Sequence, residues 1–295
     1  MFLNWLGALP GAVAQGLVWA LMAIGVFITY KILDIADLTV DGSICTGGAV
    51  CAVLVTAGVN VWVAMLAALV CGLLAGILTG VFHALMGIPE ILSGILTQLI
   101  LWSVNLKIMG KANIPLSARE HATLISQAFK TKSILILLGF VVVCIVILYW
   151  FFGTELGASL RATGCNLNMS RAQGIHTSFT KVLGLAISNG LVALSGALLS
   201  QYQGFCDVSM GRGAIVIGLA AVVIGEAIVS RLHTNFMVKL FGVALGAIVY
   251  WVVYQTVIFL GLDADLLKML SAIVVAVFLA VPYWQKAIAS KRKGR

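Results

Sequence analysis

Apolar runs of membrane-spanning length recur from one end of this chain to the other, and they fix the solvent in which it must fold. They fall at about 12–32, 44–58, 61–82, 91–109, 133–152, 181–202, 213–229, 238–260 and 266–285. One helical crossing takes about 20 residues, so 44–82 is too long for a single span. Gly58 and Asn60 offer a turn inside it. The expected fold is an all-α polytopic membrane protein with about nine transmembrane helices. Only 9% of the residues are charged, against about 25% in soluble domains. No polar stretch is long enough for a separate soluble unit, so residues 1–295 form one membrane domain. Met1 to Pro10 lacks a basic n-region, so the first apolar run is expected to be retained.

Two blocks of the chain resemble each other 170 residues apart. Asp37-Leu38-Thr39-Val40 reads against Asp207-Val208-Ser209-Met210. At the same offset Gly48 meets Gly218, Gly72 meets Gly242 and Gly76 meets Gly246. Repeat one covers about 12–109 and repeat two about 181–285, with span 133–152 as connector. Five spans separate the two starts, and five is odd, so the two four-span units run in opposite directions across the membrane. Inverted repeats suit alternating access, because each half can take the other's conformation. The inference requires that the short span 44–58 crosses.

The net charge of +8 reads as topology and not as affinity for nucleic acid. A basic tail at 286–295 is placed inside. Walking back through nine spans puts eleven Lys and Arg inside and seven outside, the expected bias. The outer loop 110–132 holds most of the outside set, with Lys111, Arg119, Glu120, Lys130 and Lys132. It reads as a docking platform or as an ordinary solvated connection. The six cysteines show no metal-ligand spacing, and no metal is expected.

Three features break the apolar pattern. The loop 153–180 suggests two short helices, Glu155 to Ala162 and Asn168 to Gln173, with Gly164 and Gly174 where helices stop. Asp37 to Ser43 and Asp207 to Gly213 precede short spans rich in small residues, Asp37 near the inner side and Asp207 near the outer. Such half-length helices tend to point their N-termini at a transport path. The aspartates, Asp41 included, also read simply as caps of the following helix. Gln98, Asn105, Ser188, Asn189, Ser195, Glu226 and Gln255 lie in or near hydrocarbon depth, facing either the path or hydrogen-bonding partners on other helices. The stripes Gly72, Gly76, Gly80 and Gly242, Gly246 read as close helix contacts within each half. The Trp residues, Trp5, Trp150 and Trp284 among them, mostly mark span ends.

The loop sequence Arg161-Ala162-Thr163-Gly164, followed by Asn166 and Gly174-Ile175, resembles the coupling loop of bacterial ATP-binding cassette importer permeases. Ala36-Asp37-Leu38-Thr39-Val40-Asp41-Gly42-Ser43 is similar to the same family, the branched-chain amino acid and ribose permeases, in its tryptophan-type branch. The likeness covers nearly the whole chain. It implies a transport subunit of the bacterial cytoplasmic membrane, not an enzyme, with a second permease copy (a homodimer), cytoplasmic ATPase subunits and an extracytoplasmic substrate-binding protein. The ATPase contact would use Glu155, Arg161, Ala162, Thr163, Gly164, Asn166, Met169, Arg171, Gly174 and Ile175. The translocation path would use Asp37, Thr39, Ser43, Gln98, Asn105, Asn189, Asp207 and Ser209. There is no G-x-x-x-x-G-K-[ST] motif, so this chain is expected to bind no cofactor, with ATP-Mg on the partner ATPase. An amino acid is the solute the resemblance suggests, an aromatic one in its narrower form. The alternatives are a secondary transporter or channel working without an ATPase, and an intramembrane enzyme. The latter would need a positioned catalytic pair that the four His residues do not offer.

Overall fold

A backbone surrounded by lipid must satisfy its polar groups internally, so helices dominate. The computed structural model describes residues 2–117, 123–229 and 235–259, with Met269, Ala272, Ile273, Ala276, Val277 and Ala280 beyond them. In chain order the elements are α1 (Phe2–Phe27), α2 (Val40–Thr56), α3 (Val61–Gly80), α4 (Glu90–Met109), β1 (Asn113–Pro115), α5 (Lys130–Gly153), α6 (Glu155–Cys165), α7 (Leu167–Ala172), α8 (Thr177–Gln203), β2 (Phe205–Asp207), α9 (Ala214–Val229) and α10 (Phe236–Phe259). Wider π turns at Ile28–Ile32 and Val81–Leu85 extend α1 and α3. Six helices among the described residues are long and apolar enough to cross a membrane, and α2 and α9 are shorter apolar helices. The chain is a multi-pass membrane protein. Eight of the nine expected spans coincide with helices. The ninth, 266–285, has only six described residues, all helical. The basic tail, Arg119, Glu120 and residues 230–234 lie outside the described residues.

The turn between α2 and α3 forms as its residues dictate. Gly58 takes a φ of 83°, and the Asn60 side chain accepts from the Trp62 amide at 3.0 Å to start α3. α8 starts at Thr177, four residues before the apolar run, because Thr177 and Thr180 are buried. Thr180 donates to the Thr177 carbonyl and shares a 3.0 Å contact with the Thr163 hydroxyl.

The axis of the bundle is α8. α1 runs antiparallel to it: Tyr202 donates to the Gly11 carbonyl, Ser195 to Val18 and Ser188 to Gly25. α3 lies against another side of α8, where a Cβ on Gly72 or Gly76 would strike the backbone at Asn189 or Leu185. α10 packs on α1, with Trp19 and Trp251 ring centroids 5.6 Å apart. Both indoles are buried, so these two Trp residues serve as core and not as span-end anchors. The small-residue stripes also divide differently from expectation. Gly72, Gly76 and Gly80 press α3 onto α8 in the other half, whereas Gly242 and Gly246 press α10 onto α9 in its own half. α5 closes the outside of the bundle against α1 and α10. Strands β1 and β2 pair antiparallel at one end, with Asn113 opposite Asp207. The short helices α6 and α7 lie at the other.

Packing without a hydrophobic drive between helices depends on close approach. A leucine at Gly76 must displace α3 from the Leu185 carbonyl, and over-packing of this kind costs about 1–3 kcal/mol. Gly76→Leu is expected to lower the thermal midpoint in detergent and the yield of assembled protein. Melting indistinguishable from wild type would mean that this contact is not where the halves meet.

Candidate translocation site

α2 does not begin at a membrane surface. After the π turn ending at Ile32 the chain reverses through Asp34, whose φ is 55°, and climbs as an irregular segment. It reaches Asn189, near the midpoint of α8, and there α2 starts. From that level α2 keeps alongside α8, with Ser43 beside Asn189, Gly47 against Ala193 and Cys51 beside Gln201. Asp37 therefore lies deep in the bundle, 3% exposed, and not near the inner side as its place in the sequence suggests. α9 is built the same way from the opposite end. β2 and the turns after it descend from the strand end past Gly48 and Ile44, and α9 starts where Gly211 meets the Asp41 carbonyl. Two half-length helices thus begin beside each other in mid-bundle.

Helix starts leave amide N–H groups without intrahelical partners, and burying them bare is costly. Each start is served by an aspartate. Asp37 Oδ1 accepts from the Thr39 amide at 2.9 Å, and its Oδ2 accepts from Asn189 Nδ2 at 2.7 Å. Asn189 Oδ1 accepts from the Ser43 hydroxyl at 2.6 Å. The Thr39 and Thr79 hydroxyls lie 2.7 Å apart, and Thr79 reaches Thr97 at 3.0 Å, which ties the start of α2 through α3 to α4. Asp41 caps the other half: its Oδ2 accepts from the Gly213 amide at 2.9 Å and its Oδ1 from the Ile215 amide at 3.0 Å. The expectation that Asp41 caps its own helix is corrected. It lies in the first turn of α2 and caps α9 across the junction, where the macrodipole favours a carboxylate.

Asp37, Thr39, Ser43 and Asn189 form one satisfied, buried network that fixes where α2 starts. Gln98 and Asn105 are separate from it. They line a cavity of about 30 Å³ between α2, α4 and the segment entering α9, together with Asp41, Trp102 and Arg212. Arg212 lays its guanidinium 4.7 Å over the Trp102 ring. Asn105 is 1% exposed; its Nδ2 reaches the Gly42 carbonyl at 3.5 Å and its Oδ1 has no partner. Arg212 reads in the sequence as one more loop cation. The sequence likeness of Asp37–Val40 to Asp207–Met210 sets position 212 against Gly42, and α9 begins four residues later than that alignment with α2 would put it.

Asp207 and Ser209 sit apart, at the strand end. The Ser209 hydroxyl and amide both donate to Asp207 Oδ1, the amide at 2.7 Å, and Asn113 reaches Oδ2 at 3.5 Å. The Ser209 hydroxyl is the main cause that holds the Asp207 carboxyl below its ordinary 3.8, partial burial opposing. Glu226 meets Lys31 at 3.0 Å at the opposite end of the molecule.

The residues of loop 153–180 fold into α6 and α7. Thr154 caps α6, and the Asn166 side chain caps α7 through the Asn168 and Met169 amides at 3.1 and 3.0 Å. Gly174, φ 80°, ends the unit as expected. Gly164 does not end a helix. α6 continues to Cys165, and Gly164 instead permits α6 to touch the Ile32 carbonyl, where any Cβ would collide. Arg161 donates to the Phe152 carbonyl at 3.0 Å and Arg171 to the Thr177 hydroxyl at 3.1 Å, so both basic residues brace the unit. Glu155, Leu156 and Met169 are left exposed on it, Met169 at 59%.

A family model described as the permease component of branched-chain amino acid transport systems matches residues 9–281. A tyrosine transport system permease protein of Clostridioides difficile is 39% identical over 90% of this chain and 88% of its own. An uncharacterised protein of Rickettsia prowazekii is 33% identical over 91% of this chain and 95% of its own. Among solved structures, PsaBC from Streptococcus pneumoniae in complex with Fab aligns over 86% of this chain and 95% of that one, with a TM-score of 0.43 and 17% identity.

Two outcomes follow from this geometry. Asn189→Ala leaves Asp37 Oδ2 and the Ser43 hydroxyl without their partner in the bundle, a loss of about 1–3 kcal/mol or more, whereas Ser43→Ala removes a single bond. Thermal unfolding in detergent should rank the two in that order; equal midpoints would argue against the network. The lowered Asp207 pKa contributes stability in full above pH 3.8 and loses it as pH falls through the folded value. Amide exchange at 205–209, corrected for intrinsic rates, should stay protected down to pH 3.8 and rise below it.

Proposed function

The chain belongs to the permease family of branched-chain amino acid transport systems, and from that premise we propose that it is the membrane subunit of an ATP-driven importer of a free amino acid. The tyrosine permease relative makes an aromatic amino acid the first solute to try. In this reading two copies, working with two cytoplasmic ATPase subunits and an outer binding protein, sit in a bacterial cytoplasmic membrane with the C-terminus inside. ATP-Mg is held by the ATPase partner.

One observation carries the reading: α6 is wedged against the segment that leads to the start of α2. α6 touches the Ile32 carbonyl at Gly164, and Leu33 and Leu160 both press on Gly184 of α8. Displacement of α6 by a partner therefore moves residues 32–39, and with them the Asp37 anchor at mid-bundle. The exposed Leu156 and Met169 present an apolar face to such a partner. A groove of about 710 Å³ opens beside α7, lined among others by Arg171, Ile175, His176 and Phe179. The nine-span, inverted-repeat reading is supported by α8 running antiparallel to α1 and by two half-length helices at equivalent places. In that frame α6 and α7 lie inside and β1 and β2 outside, facing the binding protein.

Met169→Glu puts a charge on the exposed face of α7 and touches no internal contact of the fold that Arg161 or Arg171 makes. In membranes containing the whole transport complex, solute uptake should fall by about tenfold or more, a cost of about 1.4 kcal/mol in coupling, with the melting temperature unchanged. Normal uptake would remove the coupling assignment. Purification from native membranes without any ATPase, with uptake independent of ATP, would return the secondary transporter.

A further inference from the structure

Folding leaves the polar atoms of the mid-bundle cavity only partly used. We propose that this cavity is where the permease itself takes the charged head of a free α-amino acid, with Arg212 receiving the carboxylate and Asn105 Oδ1 and Asp41 receiving the ammonium. The assignment rests on the importer reading and adds to it a site and a substrate class.

The chemistry comes from what each group lacks. Asn105, which lines the cavity, is 1% exposed with an unpartnered carbonyl oxygen, an acceptor that a buried site rarely leaves bare. Asp41 accepts from the Gly213 and Ile215 amides and also faces the Ala214 amide, and a carboxylate has about four acceptor positions. Those two side chains offer acceptors to a cationic donor. Arg212, lining the same cavity, has the opposite character. Arg212 stacks on Trp102, and the sole ion pair among the described residues is Lys31 with Glu226, far from it. A guanidinium held by a ring face keeps its fork free for a bidentate carboxylate. Asp207, at the strand end, is one acidic neighbour of Arg212, and it is already occupied by Ser209. Acceptors and a planar donor lining one cavity, at the meeting of two helix starts, match a zwitterion and neither an amine nor an acid alone.

The cavity of about 30 Å³ holds one water or one small charged group. Arg212 must therefore lift from Trp102 to admit a whole amino acid, and lifting it bares the ring to the solute's side chain.

The test uses the intact transport complex with its binding protein in proteoliposomes, and labelled tyrosine and tryptophan as probes. ATP hydrolysis stimulated by the binding protein is read in the same samples. Arg212→Gln should cut uptake about tenfold or more while the stimulated hydrolysis stays near wild type. Arg212→Lys should recover part of the uptake. Arg212→Cys should be rescued by aminoethyl methanethiosulfonate, which restores a positive charge, and not by the sulfonatoethyl reagent. Wild type treated alike controls for the exposed Cys165. Asn105→Leu, which fills the cavity, should abolish uptake of both probes. Uptake by Arg212→Gln at the wild-type rate, or equal effects of the two reagents, would overturn the site. ATP-dependent transport of a solute other than a free amino acid would overturn it too and leave the importer reading standing. ATP-independent uptake by wild type would instead remove the importer reading.

Discussion

The structure depends on starting two helices in the middle of an apolar bundle. A helix start in hydrocarbon exposes amides that lipid cannot satisfy, so the chain must bring its own acceptors to that depth. Asp41 does this for α9, through the Gly213 and Ile215 amides, and Asp37 does it for the turn that opens α2. The first of these bonds joins residues 172 positions apart. It makes the half-helices mutually dependent: α9 has its start only where α2 holds Asp41, and α2 is held by Asn189 of α8. An aspartate at such depth is tolerable because its oxygens receive directed donors, and because helix starts carry partial positive charge.

Close backbone contact is the second condition. α2 and α8 approach until Gly47 meets the Ala193 backbone and Gly196 meets the Ile44 carbonyl. Only with the helices that near do Ser43, Asn189 and Asp37 come within hydrogen-bond reach. Glycine and the buried polar side chains are thus parts of one device. The same rule acts at Gly164, where the absence of a side chain lets α6 rest on the Ile32 carbonyl.

The helices were readable because their apolar runs are long and their ends are marked by residues with one local use. Gly58 and Asn60 end and start helices through their own backbone and side chain, and Gly174 does so with a positive φ. The depth of a residue was not readable. Asp37 follows a full-length apolar run, which places it at a surface unless the chain turns back, and the reversal at Asp34 has no sequence mark beyond one left-handed aspartate. Gly164 looks like a helix terminator in sequence because a contact with Ile32, 132 residues earlier, has no local trace. Arg212 looked like a surface cation for the same reason. Its meaning comes from Trp102 and Asn105 on α4, which only the folded junction brings beside it.

These features also set how motion could pass through the molecule. The segment 32–39 is anchored at one end under α6 and at the other by Asp37 on Asn189. It is irregular between those points and contains the strained Asp34, so it can change shape without breaking a helix. The segment leading into α9 has the matching construction, anchored by Asp207 and Asn113 at one end and by Asp41 at the other. A shift of either anchor changes the position of a helix start, and both starts border the same cavity. Packed helices move as rigid bodies. The irregular segments are therefore where a push on α6 turns into a change at mid-bundle, and Asp41, shared by the two halves, ensures that the change is felt by both.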